Sequence, residues 1–74
     1  MVDLLLFDGL DNALIGHTYR KGEFIAVYDY EKMVEIFMKE HGMSEEDAVE
    51  WIDFNVLGAW IGEQTPMIVF PFEA

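Results

Sequence analysis

The residues of this chain best suited to chemistry are its carboxylates, and they are concentrated in one short stretch. Five acidic residues lie between positions 45 and 53, and residues 40–74 hold eight acids and no lysine or arginine. The 74 residues include 15 acidic and 4 basic ones, for a net charge of −11. Such a surface repels nucleic-acid backbones and attracts basic partners. We therefore expect a partner protein with a basic or apolar surface, and no direct binding to nucleic acid.

Carboxylates can also serve catalysis or metal binding, but their arrangement here does not favour either. Glycosidase-type chemistry needs two carboxylates held across a cleft, for which a domain of this size has little room. His17 and His41 do not form an H-x-x-x-H or H-E-x-x-H motif. Asp8, Asp11 and Asn12 fail the spacing of a calcium loop. We expect no enzymatic activity, no catalytic residue, no metal site and no cofactor.

Aromatic side chains beside the acids favour a protein-binding surface instead. Phe54 and Trp60 follow the acidic stretch, and tryptophan is common among the residues that dominate binding energy at interfaces. One alternative is that Trp51 and Trp60 belong to the core, and another is that the acidity only keeps the protein soluble. The candidate partner-binding residues are Glu46, Glu50, Asp53 and Trp60.

The acidic stretch itself is predicted to be a helix over residues 45–57. Ser44 is a good N-cap, and Asp47 three residues later completes a capping-box pattern. The acids of the first turn complement the positive end of the helix dipole. Apolar residues recur at three- and four-residue spacing, which defines one buried face. Gly58 is expected to end the helix in the left-handed conformation.

The preceding residues predict a β-hairpin and a first helix. Residues 13–19 and 24–28 are rich in strand-forming residues, and the polar segment 20–23 between them contains a glycine. A helix is expected over residues 30–41, with Asp29 as its N-cap and a glycine directly after it.

A last strand, residues 67–70, lies between two prolines, which suit strand ends. The chain is thus expected to form one domain, residues 1–74, of the α+β class. In this fold a small antiparallel sheet, made of the β-hairpin and the C-terminal strand, packs on an antiparallel two-helix hairpin. The order of elements is ββααβ.

The predicted strands carry more apolar residues than a sheet covered on one face needs. Residues 24–28 and 67–70 are apolar at every position, whereas a half-covered strand alternates apolar and polar side chains. We expect one face to leave either Ile25 and Val27 or Phe24 and Ala26 exposed. Exposed apolar surface usually marks an interface, so we predict a homodimer or a hydrophobic partner site. A folded-back segment, residues 4–7, is the alternative cover.

Compartment signals are few. The chain has no cysteine, no apolar run approaching the length of a membrane span, and no basic flank before the short apolar segment 4–7. We expect a cytoplasmic protein that contacts no membrane.

Four segments of the chain carry a resemblance to known sequences: DNALIG at 11–16, VYDYEK at 27–32, GMSEEDAVE at 42–50 and FNVLGAWIGEQTP at 54–66. Taken in order, they resemble an uncharacterised family of small hypothetical proteins encoded by bacteriophages and prophages. The resemblance spans roughly residues 9–70. It implies a phage origin, hence the cytoplasm of a host cell, and brings no known activity or catalytic residue.

Two functions follow as hypotheses. The first is a phage-encoded binding protein that occupies a site on a host protein, for example as an inhibitor of CRISPR or restriction defence whose acids imitate nucleic-acid phosphates. The second is a structural or assembly homo-oligomer with no inhibitory role, in which acidity serves solubility alone.

Overall fold

The computed structural model describes residues 4–58 and 62–72, which form a three-stranded sheet and two helices. The observed order, ββααβ, confirms the predicted fold class. The elements are β1 Leu14–Arg20, β2 Glu23–Asp29, α1 Tyr30–His41, α2 Glu45–Ile52 and β3 Met67–Val69, with a 3-10 turn at Asp11–Ala13 and a π-helical turn at Asp53–Leu57.

The hairpin turn is tighter than the sequence predicted. Arg20 pairs with Glu23, so the turn contains only Lys21 and Gly22, with φ angles of 50° and 82°. Two central residues with positive φ match the twist of the flanking strands, and glycine adopts this conformation at little cost. The register shifts between Leu14 and Gly16, which makes a bulge at the start of β1.

Helix α1 begins and ends as its sequence predicts. The Lys32 N–H donates to the side chain of Asp29 at 3.1 Å, and Gly42 has a φ of 66° in the left-handed region. The C-terminal end of the next helical stretch differs from the prediction. Gly58 has φ −83° and ψ −4°, in the right-handed region, because the stretch ends in a π-helical turn rather than a left-handed cap.

The sheet is mixed rather than antiparallel. β2 pairs antiparallel with β1 but parallel with β3, with Val27 beside Met67. A parallel pair needs a crossover connection of about a dozen residues or more. The chain between β2 and β3 contains both helices and the segment 58–66, so it is long enough to return the chain in the same direction.

The core lies between the helices and one face of the sheet. Ala26 and Tyr28 supply its sheet side. Both are fully buried. The helices contribute three further fully buried residues to the same core: Met33, Ala48 and Ile52.

The opposite face of β2 is not the exposed apolar surface that the sequence predicted. Ile25 and Ala26 point to opposite faces, since neighbours in a strand alternate, yet both are fully buried. Val27 is half-buried, and Phe24 is 37% exposed. The segment before β3 also contacts the hairpin. There the side chain of Gln64 donates to the Phe24 carbonyl at 3.4 Å.

The segment 4–7 was the alternative cover for the face of β2 that carries Ile25. Its last residue, Phe7, lies on the other face. The Phe7 N–H donates to the Tyr28 hydroxyl at 2.8 Å, and the two rings lie 5.2 Å apart. Tyr28 points into the core beneath the helices, so Phe7 closes the helical side of the sheet.

Candidate functional site

Helix α2 is positioned by a cap at its start and by a buried face. The Asp47 N–H donates to the Ser44 hydroxyl at 3.1 Å, which satisfies one of the free donors of the first turn. Ala48, Ile52 and Val56 are buried in the core. Their spacing of four residues fixes one side of the helix inward, so the opposite side faces solvent.

Three of the four predicted site residues form what we call the acidic ridge: Glu46, Glu50 and Asp53. All three are exposed. Side chains four and three residues apart lie on one side of a helix, here about 6 Å and about 4.5 Å apart along its axis. The chain from residue 40 onward supplies no lysine or arginine to neutralise them. The ridge is therefore a surface of concentrated negative charge.

Beside the ridge lies an open cavity of about 490 Å³, which we call the aromatic depression. Phe54 is 78% exposed and Trp51 is 40% exposed, so their rings are accessible to a ligand. Two carboxylates line the same cavity. Its lining residues are Met43, Asp47, Glu50, Trp51, Phe54 and Asn55.

Ring packing between the two helices holds Trp51 in place. Its ring lies 4.7 Å from that of Phe37, which in turn lies 5.2 Å from the His41 ring. Phe37 is buried, so Trp51 packs one part of its ring against the core and leaves the rest in the depression. Trp51 is thus both a packing residue and part of the candidate site.

The helix changes its hydrogen bonding where the depression ends. The Asn55 side chain donates to the Trp51 carbonyl at 2.9 Å. In an α-helix the Asn55 backbone N–H would donate to this carbonyl. Side-chain donors of this kind compete with the backbone hydrogen bonds of the helix. The π-helical turn Asp53–Leu57 coincides with this bond. Such turns are rare and often occur at functional sites.

Asp53 is close enough to Tyr30, the first residue of α1, for its charge to act on the Tyr30 hydroxyl. Burial raises the pKa of the Tyr30 hydroxyl, and the negative charge of Asp53 raises it further. The Tyr30 ring lies 4.4 Å from the Phe70 ring, at the mouth of a second groove of about 390 Å³ that also contains Glu45 and Val49. The ridge therefore runs between two grooves, each with apolar and acidic lining.

The structure thus brings Glu46, Glu50 and Asp53 together on one face, and their role in binding a partner stays a prediction. Trp60, the fourth predicted residue, lies outside the described residues. The sequence did not identify Asp47 and Trp51 as site residues, because the capping role of Asp47 and the apolar spacing of Trp51 explained them already. Only the shape of the depression shows that both line it with Glu50.

This arrangement can recognise cations. Carboxylates accept charge-assisted hydrogen bonds from lysine and arginine, and aromatic faces attract the same cations.

Among residues 4–58 and 62–72, no three His, Asp or Glu side chains are grouped closely enough to hold a metal ion. In the same part of the chain, no helix has both the length and the apolar character needed to cross a membrane.

No protein-family model matches the chain, and neither curated proteins nor solved structures include one that is similar to it.

Proposed function

We propose that this protein is a small, acidic, non-enzymatic binding protein that uses α2 to engage a basic surface of another protein. The observation that supports this most strongly is the aromatic depression, where Asp47 and Glu50 flank the exposed rings of Trp51 and Phe54. A lysine or arginine of the partner would place its charge between the carboxylates and its aliphatic stem against the rings.

Magnitudes indicate how such a surface would work. An exposed salt bridge contributes about 0–1 kcal/mol, and an exposed cation–π contact contributes about 0.5–1 kcal/mol. No single contact of this kind holds a partner, so affinity would come from burying Phe54 and Trp51 as hot spots. The ridge would mainly steer a basic partner toward this face and speed association.

The resemblance to phage-encoded proteins supports a host protein as the partner, in the host cytoplasm. Ridge carboxylates spaced by about 6 Å and about 4.5 Å along the helix present repeated negative charge, as a nucleic-acid strand does with its regularly spaced phosphates. We therefore extend the proposal to a nucleic-acid-binding defence protein, such as a CRISPR or restriction nuclease, whose basic site α2 would occupy.

Capture from infected host cells with matched charge variants tests the proposal. The ridge variant carries Glu46→Lys, Glu50→Lys and Asp53→Lys. The control variant carries the same charge change at three other exposed acids, Glu23→Lys, Glu35→Lys and Glu40→Lys. We expect the wild type and the control to retain a host protein that the ridge variant loses, with all three folded by circular dichroism.

Equal retention by the ridge variant would contradict the proposal. It would favour the competing function, a structural or assembly homo-oligomer whose acidity serves only solubility. Where a nucleic-acid-binding protein is captured, added wild-type protein should displace its nucleic acid and the ridge variant should not.

A further inference from the structure

The two edges of the sheet differ in a way that bears on association. The strand order is β1-β2-β3, so β1 and β3 each have one side without a neighbouring strand in the described part of the chain. β3 has three residues, with Pro66 before it and Pro71 soon after, and short edges bounded by proline resist further pairing. β1 has seven residues and no proline. The β1 edge is therefore the open one.

The β1 edge also lacks the negative charge found elsewhere. Residues 12–22 contain no acid, and they include Arg20 and Lys21, half of the basic residues in the chain. Two copies that each carry a charge of −11 repel one another over most of their surface. When two copies approach along β1, neither β1 strand brings a carboxylate close to the other, because β1 contains no acidic residue.

The side chains of this edge provide apolar surface for such a contact. Tyr19 is 64% exposed and Ile15 is 50% exposed. On one face, Phe24 lies 5.1 Å from the Tyr19 ring and 5.5 Å from the His17 ring, both edge-on. Residues 17 and 19 point to the same side of β1, so this aromatic cluster runs along the open edge.

We propose that β1 pairs antiparallel with β1 of a second copy, which joins two three-stranded sheets into one of six strands. The bulge between Leu14 and Gly16 leaves residues 16–20 as the regular part of the edge, with Thr18 at its centre. A two-fold axis at Thr18 places His17 of each copy opposite Tyr19 of the other. Directly opposed side chains on one face lie close enough for their rings to pack.

Light scattering across a hundredfold concentration range tests this proposal. We expect a monomer–dimer equilibrium that shifts toward the dimer at high salt, since salt screens the repulsion between two acidic copies. Tyr19→Lys places a charge on the open edge and should weaken the dimer at least tenfold. Phe54→Lys, the same change at an exposed aromatic residue of the π-helical turn after α2, should leave the dimer unchanged.

Hydrogen exchange supplies a second readout that does not depend on the variant. The β1 amides that do not pair with β2 should gain protection as concentration rises, and Tyr19→Lys should remove this gain while the core amides stay protected. A monomer at every concentration, or a dimer unaffected by Tyr19→Lys, would overturn the proposal. So would pairing of β1 with an unrelated protein while the chain remains monomeric. High salt should favour the dimer but weaken the binding of a basic partner by α2. The two proposals can therefore fail independently.

Discussion

The rings of Phe37 and Trp51 lie 4.7 Å apart and join the buried face of α1 to the exposed face of α2. Phe37 belongs to the core, whereas Trp51 lines the aromatic depression. The shape of the candidate site therefore depends directly on the packing of the two helices. A ring anchored in this way loses little freedom when a partner binds, which favours its use as a hot spot.

Trp51→Ala should separate packing from exposure. A buried large aromatic residue costs about 3–5 kcal/mol when cut to alanine, and Trp51 is 40% exposed, so we expect a loss of about 2 kcal/mol in the free energy of unfolding. Phe54→Ala, at a residue 78% exposed, should change it by less than about 0.5 kcal/mol. Urea denaturation measures both. Equal losses would mean that Trp51 does not anchor α2.

Tyr28→Phe should reduce stability and alter its dependence on alkaline pH. The variant leaves the Phe7 N–H without its acceptor, at a cost of about 1–2 kcal/mol at neutral pH. Tyr19→Phe, at an exposed residue, is the control for this loss.

The pH dependence follows from the Tyr28 hydroxyl. Burial raises its pKa above the usual 10.0; the Phe7 N–H opposes this and the charge of Asp11 adds to it. The folded state thus favours the protonated form. Its contribution to stability is complete below pH of about 10 and declines as the pH rises through the folded pKa. In Tyr28→Phe this part of the alkaline loss should disappear, leaving that of Tyr30. Unchanged alkaline unfolding would contradict the assignment.

Alanine substitutions at two glycines should differ in their effect on stability. Gly42 has a φ of 66°, so Gly42→Ala forces a side chain into the left-handed region and should destabilise the fold by about 1 kcal/mol. Gly58 has a φ of −83°, and an added Cβ would lie 3.5 Å from the Phe54 carbonyl oxygen, an ordinary contact. Gly58→Ala should be neutral or stabilising by up to about 1 kcal/mol. Thermal unfolding of both variants checks the contrast. If Gly58→Ala proved destabilising, the result would support the left-handed cap at Gly58 that the sequence predicts.

Removal of the α2 cap should weaken the fold without changing any side chain that lines the depression. Ser44→Ala loses the acceptor for the Asp47 N–H and should cost about 1 kcal/mol. Ser44→Asp keeps an acceptor at the N-cap and should retain most of the stability. Denaturant midpoints at neutral pH distinguish the two. If alanine and aspartate behaved alike, the cap would contribute nothing to α2.

Local signals explain what the sequence could predict. Ser44 and Asp29 cap the helices where their side chains indicate, because a cap depends on only a few neighbouring residues. The direction of β3 depends instead on the path of the long chain before it, which no local pattern specifies. The full burial of Ile25 is likewise not predicted by the pattern of its neighbours in β2.

The candidate site was predicted in part for the same reason. The ridge follows from the spacing of Glu46, Glu50 and Asp53 on a recognisable helix. The depression depends on how Trp51 packs against Phe37, 14 positions earlier, and on the π-helical turn near Asn55. The first is a tertiary contact, and the second coincides with a side chain that competes for a backbone carbonyl. The periodicity of the sequence reveals neither.

The most direct test of the central claim is a titration of isotope-labelled protein with a short peptide rich in arginine and lysine, followed by NMR. We expect saturable shifts at Asp47, Glu50 and Phe54 and at the Trp51 indole N–H, weakening as salt increases. The double variant Glu50→Lys, Phe54→Ala should lose them, and Glu40→Lys, on α1, should keep them. Non-saturating shifts spread over acidic residues throughout the chain, unchanged in the double variant, would contradict the claim that α2 is the binding surface.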